Sequence, residues 1–518
     1  ADSALTLTGS HTTTFTSSAR FSGAGQIQQT AGSTAMADGV RIDSSLRLSG
    51  GSLGIAGTVQ QNGAFTWTGG EINGGGTLAV SGVLDQSSNT TVYLRNATTL
   101  LHTNAGGDSR IANTSSSGLN IDSGSVFRNT GTLTLDVAGS GSIMYIDQDS
   151  GSASLFENTG TLIKTGSGRV DIGTYGMVSL RQAGTLSIDE GWITLGGSGG
   201  TPPAHQISGA QSIASGALLQ VSGGQTTVAS TATFAGAGRL EVAGGTLAVG
   251  NGVQLGSDLA LALSSGTLSV AGQLQQNSRF TWTGGQINGG GTLTVAGVFE
   301  QSGNTTVYLR DGTTLLHTNT SGSSRIANTS SSGFNIENGS TFRNTGTLTL
   351  DVASAGGVMY IDHDSGNAGL FDNAGTLIKT GAGRLDIGTY GLVSLRQSGT
   401  LNVSAGSITF GGSGGTPPEH LLAGTQTIAS GARIEVIGGT TRLASVATVS
   451  GAGPLRLTGG VLAMDDGMST GITLQQSGGT LSGTGSNTLS GRYEWTGGTV
   501  GGSGTLTVSG VLQINGTG

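Results

Sequence analysis

Cysteine is absent from the 518 residues, which excludes disulfide staples, thiolate metal sites and cysteine nucleophiles. The lack also suits a chain that crosses an envelope unfolded and folds outside it. Lysine occurs only at Lys164 and Lys379, no basic cluster exists, and the net charge is −8, so nucleic acid is not an expected partner. No stretch approaches 18 consecutive apolar residues, so no membrane span is expected in this segment. The start, Ala1-Asp2-Ser3, lacks the basic and apolar regions of a signal peptide, and the sequence is expected to begin after processing or inside a longer chain. Aromatic residues make up 4% and charged residues 10%, against 98 glycines. Such a composition without periodicity would be disordered, but 35% of the residues are hydrophobic and recur at short intervals. The chain can therefore bury a core, narrow and built mainly from small aliphatic side chains.

Repetition dominates what is present. Asn89 to Asn104, NTTVYLRNATTLLHTN, returns at Asn304 to Asn319 as NTTVYLRDGTTLLHTN, and Trp67 returns at the same spacing as Trp282. A third copy of the Trp-Thr-Gly-Gly motif begins at Trp495, and Ala19 to Ile27 matches Ala232 to Leu240 and Ala447 to Leu455. The expected organisation is a leading strand at 1–10, a first module at 11–224, a second at 225–439 and a partial third at 440–518. These are about 2.4 modules of what is expected to be a longer array.

Within each module the unit Phe-x-Asn-x-Gly-Thr-Leu recurs at Phe127 to Leu133, Phe156 to Leu162, Phe342 to Leu348 and Phe371 to Leu377, with a spacing of 29. Gly-Thr-Leu units ending at Leu247, Leu268 and Leu293 add gaps of 21 and 25. In Thr132 to Val137 the apolar residues Leu133, Leu135 and Val137 alternate with polar ones, the mark of a half-buried strand. Glycine-rich turns bound such strands, and no 3.6-residue periodicity runs long enough for a helix. One turn alone cannot cover its apolar face, so successive turns must stack. The fold predicted is all-β: a parallel β-helix, or β-solenoid, of 21–29-residue turns grouped in 215-residue tandem modules. At about 4.8 Å per step it would form a rod on the order of 100 Å long. Asn129, Asn158, Asn344 and Asn373 would either ladder through their amides or adopt left-handed turn conformations, and the turn reading is preferred.

Strings such as FTWTGGEINGGGTLAVSGVL (Phe65 to Leu84), FRNTGTLTL (Phe127 to Leu135), FENTGTLIKTGSG (Phe156 to Gly168) and AGTLSIDEGWITLGG (Ala183 to Gly197) resemble the repeats of very large bacterial surface proteins. They are similar to the β-solenoid adhesins of the filamentous-haemagglutinin and autotransporter-passenger types. The resemblance covers nearly the whole chain, and its degenerate motifs specify architecture more than ligand. It implies a secreted rod at the bacterial cell surface, with binding functions elsewhere on the polypeptide and no catalytic residue or cofactor.

Six groups of residues come into question for chemistry. Asp147 with Asp149, and Asp362 with Asp364, would each share a face if they lay in a strand, and are weak candidates for Ca²⁺ or for acid–base work; a solvated turn is the preferred reading. Asp189-Glu190 has no acidic counterpart at Ser404-Ala405, which argues against a duplicated active site. Trp67, Trp282 and Trp495 would stack on glycans if exposed, although alternation with threonines favours packing. His102, His205, His317 and His420 have no second ligand at metal spacing, and Gly74 to Gly76 and Gly196-Gly197 read as turns because no phosphate-loop lysine follows. The pairs Thr132/Thr134 and Thr347/Thr349 suggest an ice-ordering face, against which the variable turn length argues.

The function expected is structural and interactive: an extracellular rod in a surface fibre, filament or adhesin, not an enzyme. The alternative is a carbohydrate-binding or polysaccharide-degrading β-helix. Expected partners are further copies of the chain, end to end or side by side, and surface glycans or receptors of host or neighbouring cells.

Overall fold

The computed structural model describes residues 3–112, 118–197, 203–328, 333–412 and 419–515. Among these residues there is no helix, and therefore none long and apolar enough to cross a membrane. About 55% of the residues lie in strands, which pair in parallel as a β-solenoid of about 22 turns with about 22 residues each. The chain divides into two compact units, Ala1–Ala260 and Leu261–Gly518.

In the first unit each turn contributes three short strands to three faces. Thr99–His102, Val126–Asn129, Ser154–Asn158 and Val178–Gln182 stack on the first face. Thr132–Asp136, Thr161–Thr165 and Thr185–Ile188 form the second. Leu119–Ile121, Ile143–Asp147, Arg169–Ile172 and Trp192–Leu195 form the third. The second unit repeats this order one module later, for example with Thr341–Asn344, Thr347–Asp351 and Val358–Asp362. The register step is 29 where Phe127 and Asn129 meet Phe156 and Asn158, but 19 where Val59 and Asn62 meet Leu78 and Ser81. The shortest turns therefore fall below the 21 read from sequence. The 25-residue gap from Leu268 to Leu293 is not a turn: Leu268 pairs with Ile287 and Leu293 with Leu274, on different faces.

The recurrent heptad now has a physical reason at each place. Phe127, Phe156, Phe342 and Phe371 point inward and pack ring to ring at 5.3 Å in each unit. The asparagine is the last inward residue before a corner. Asn129 Nδ2 donates to Asn158 Oδ1 at 2.7 Å, Asn158 Nδ2 donates to Gln182 Oε1 at 3.0 Å, and His102 Nδ1 lies 2.7 Å from Asn129 Oδ1. The same ladder runs His317, Asn344, Asn373, Gln397 in the second unit. The preferred turn reading is thus corrected: these asparagines are absent from the positive-φ residues, and their buried amides satisfy one another in a column. After the corner, glycine is required by close approach, because a Cβ at Gly160 would run into the Gly131 carbonyl oxygen of the turn beneath. Threonine then points out and leucine in.

Both lysines are fully buried, on the inward side of the second face. Lys164 Nζ donates to the carbonyls of Thr165 at 2.7 Å, Gly166 at 2.6 Å and Glu190 at 3.3 Å; Lys379 does the same with Thr380, Gly381 and Ala405. Three backbone acceptors are satisfied by one ammonium, and desolvation draws each lysine pKa down to about 8.

The stacking geometry makes a direct prediction. Gly160→Ala should destabilise the first unit by about 1–3 kcal/mol, the range for overpacking, whereas Gly141→Ala, whose Cβ meets nothing within 4 Å, should stay within about 0.5 kcal/mol of wild type. Chemical denaturation of the two variants checks this, and equal effects would contradict the account.

Candidate functional site

The third face carries most of the exposed aromatic surface. Strand alternation turns Met144 and Ile146 inward and Tyr145 outward. Its register partner on the next turn is Asp171, which pairs with Arg169 at 2.7 Å. The chain leaves this strand through 173–177 and folds Tyr175 back over the face, so that the Tyr145 and Tyr175 rings lie 5.5 Å apart at 49°. Two turns away, Tyr93 lies under the Arg95 guanidinium at 3.9 Å, and Arg95 pairs with Asp122 at 3.0 Å.

Asp147 fixes the Tyr175 loop. Its Oδ2 accepts the Tyr175 backbone N–H at 2.7 Å and its Oδ1 accepts that of Gln148 at 3.0 Å. The carboxyl is only 5% exposed, and desolvation outweighs these backbone donors, lifting its pKa to about 6. The second unit reproduces the arrangement: Tyr360 and Tyr390 lie 5.5 Å apart at 52°, Tyr390 N–H donates to Asp362 at 2.8 Å, and the Asp362 pKa also rises to about 6. Asp386 pairs with Arg384 at 2.8 Å there.

This geometry does not support the calcium candidates. The strands end at Asp147 and Asp362, so the two-residue rule that would align Asp149 and Asp364 with them no longer applies. Asp147 and Asp362 are buried and already hold backbone donors, while Asp149 and Asp364 are exposed. Among the described residues no group of three histidine, aspartate or glutamate side chains is placed to hold a metal ion.

Trp67 and Trp282 are wholly buried, so in this structure no sugar reaches either ring. Trp67 stacks on Phe65 at 6.3 Å, and Trp282 donates from Nε1 to the Gly284 carbonyl at 3.1 Å. Trp495 is half-buried and lies flat against Tyr493 at 6.5 Å. His102, His205, His317 and His420 are internal. His205 accepts the Leu180 N–H at Nδ1 and donates from Nε2 to the Gly196 carbonyl at 2.8 Å; His420 does likewise with Leu395 and Gly411, and burial draws its pKa down to about 4. Both are neutral structural links.

Thr347, Thr376, Thr400, Thr425 and Thr448 form one in-register outward column. Turn length does not disturb its spacing, because loops absorb the variation; the neighbouring column is broken by Ile378 and Asn402.

The tyrosine face was not identified from sequence. Its available signal was a tyrosine on the polar side of an alternating strand, Ile143-Met144-Tyr145-Ile146, repeated at Tyr360.

A raised carboxyl pKa has a definite sign. The folded state holds the Asp147 proton more tightly than the unfolded chain, so its stabilising contribution is complete below about 3.8 and is lost as pH rises through about 6. Relative to Asp147→Asn, wild type should gain on the order of 2 kcal/mol between pH 7.5 and 4.5, at about 1.4 kcal/mol per pKa unit. Denaturant melts at the two pH values measure this, and a pH-independent difference would contradict it.

No protein-family model matches the chain, and neither the curated proteins nor the solved structures searched contain a match.

Proposed function

We propose that the chain is a structural and interaction segment of a secreted bacterial surface fibre, filament or adhesin, acting through length and surface rather than catalysis. The observation that supports this is duplication of the interior. The phenylalanine stack, the histidine–asparagine–glutamine ladder and the buried lysine recur one module later with matching partners and distances. Copying a complete stack of turns extends a solenoid without altering its core, the route by which repeat proteins gain length and lateral surface. The outward columns carry paired charges, such as Arg128–Glu157–Arg181 and Arg343–Asp372–Arg396, which keep successive turns compatible on the solvent side.

Immunogold electron microscopy of producing cells should label the cell surface, and the released material should form thin fibres. Label confined to the cell interior, or compact particles, would overturn the proposal. Release of reducing sugar from acidic polysaccharides would instead establish the polysaccharide-degrading alternative.

A further inference from the structure

Tyrosine and the other aromatic residues occupy different places in this chain. Phe65, Phe127, Phe156, Trp67 and their second-unit equivalents are buried. Of seven tyrosines, six lie outward on the third face, in two equivalent sets of three, and only Tyr493 is internal. Tyr175 and Tyr390 are 67% and 66% exposed.

The Tyr175 and Tyr390 rings contribute little to the core. A large exposed ring buries little apolar surface, and the loop that presents it is held by a carboxylate whose burial is unfavourable at neutral pH. Both features occur at the same place in each unit, with ring separations of 5.5 Å and anchoring hydrogen bonds of 2.7 and 2.8 Å. A solvent-facing pair of rings, held by a buried carboxylate at the same place in both units, offers a ready-made ligand platform.

We propose that the third face, through Tyr145 and Tyr175 in the first unit and Tyr360 and Tyr390 in the second, binds neutral hexose units of a glycan. Tilted phenol rings offer apolar faces for the C–H side of a pyranose and hydroxyls for its O–H groups. Arg169 and Arg384 add guanidinium donors at the edge. Their charges are offset by Asp171 and Asp386, which disfavours recognition of an acidic sugar. The two sites are not identical, since Trp192 is the register partner of Arg169 where Ser407 partners Arg384. The half-exposed Trp192 extends the first platform by one more ring, so the first site should bind more tightly.

The inference deepens the adhesin reading by naming a partner class. It is tested on the purified chain, so failure to bind sugar leaves the surface-fibre reading standing, and an intracellular location leaves the binding result standing. Affinity electrophoresis in gels containing a neutral glucan or mannan, with polygalacturonate as the acidic control, reads binding directly. At least one neutral polysaccharide should retard the wild type. Tyr175→Ala with Tyr390→Ala should weaken retardation at least tenfold while leaving the circular dichroism spectrum unchanged, because both rings are solvent-exposed. Tyr175→Phe with Tyr390→Phe should retain the stacking and lose a few-fold. In a Tyr390→Ala background, which isolates the first site, Trp192→Ser should weaken binding further. Retardation by no neutral polysaccharide, by the acidic one alone, or to an equal extent in the double alanine variant would overturn the proposal.

Discussion

Successive turns are joined by parallel backbone hydrogen bonds, and that one step, about 4.8 Å between strands, governs everything else in the molecule. Each residue in a strand sits on its register partner, so the chemistry of one turn must be tolerable to itself one turn later. Phenylalanine rests on phenylalanine at Phe127 and Phe156, asparagine donates to asparagine at Asn129 and Asn158, and arginine meets an acid at Arg128 and Glu157. A lone inward polar group would be costly, and in the His102–Asn129–Asn158–Gln182 column each side chain finds a partner above or below. The corner glycines obey the same step, since Gly131 and Gly160 approach the carbonyl beneath too closely for a side chain. Loops absorb all the variation in turn length, from the short step between Val59 and Leu78 to the long one between Phe127 and Phe156.

Much of this order is written in the alternation of Leu133, Leu135 and Val137 and in the recurring heptad, because both depend on nearest neighbours along the chain. What sequence spacing alone misses depends on neighbours across turns. The asparagines look like turn formers until their register partners are also asparagine or glutamine. Lys164 sits on the apolar side of Thr161-Leu162-Ile163-Lys164, a signal of burial, but its carbonyl cage needs the Glu190 backbone from the next turn. Asp147 and Asp149 would share a face in an unbroken strand, and the end of the strand separates them. The tryptophans look like the natural sugar platform; the core takes Trp67 and Trp282, and the exposed rings are the tyrosines.

A division of labour follows. The interior keeps its inward pattern and its ladders between units, while three buried leucines, Leu84, Leu119 and Leu195, give way to Phe299, Phe334 and Phe410. The outside also varies: the units differ at Trp192 against Ser407 and at Asp189-Glu190 against Ser404-Ala405. Interaction can therefore diversify on the surface while the stack lengthens by duplication. The Tyr175 loop marks where that surface carries an energetic cost, in a desolvated Asp147.

In-register stacking is the central claim, and the absence of native cysteine allows a clean test of it. Thr347 and Thr376 are outward register partners, with Cα atoms about 4.8 Å apart, inside the range a disulfide accepts. Thr347→Cys with Thr376→Cys should therefore close a disulfide nearly completely under mild oxidation, read by mass spectrometry after tryptic digestion. Thr347→Cys with Ile378→Cys, displaced by two residues along the strand, should remain reduced. Efficient closure of the displaced pair with failure of the aligned one would contradict the register on which the whole account depends.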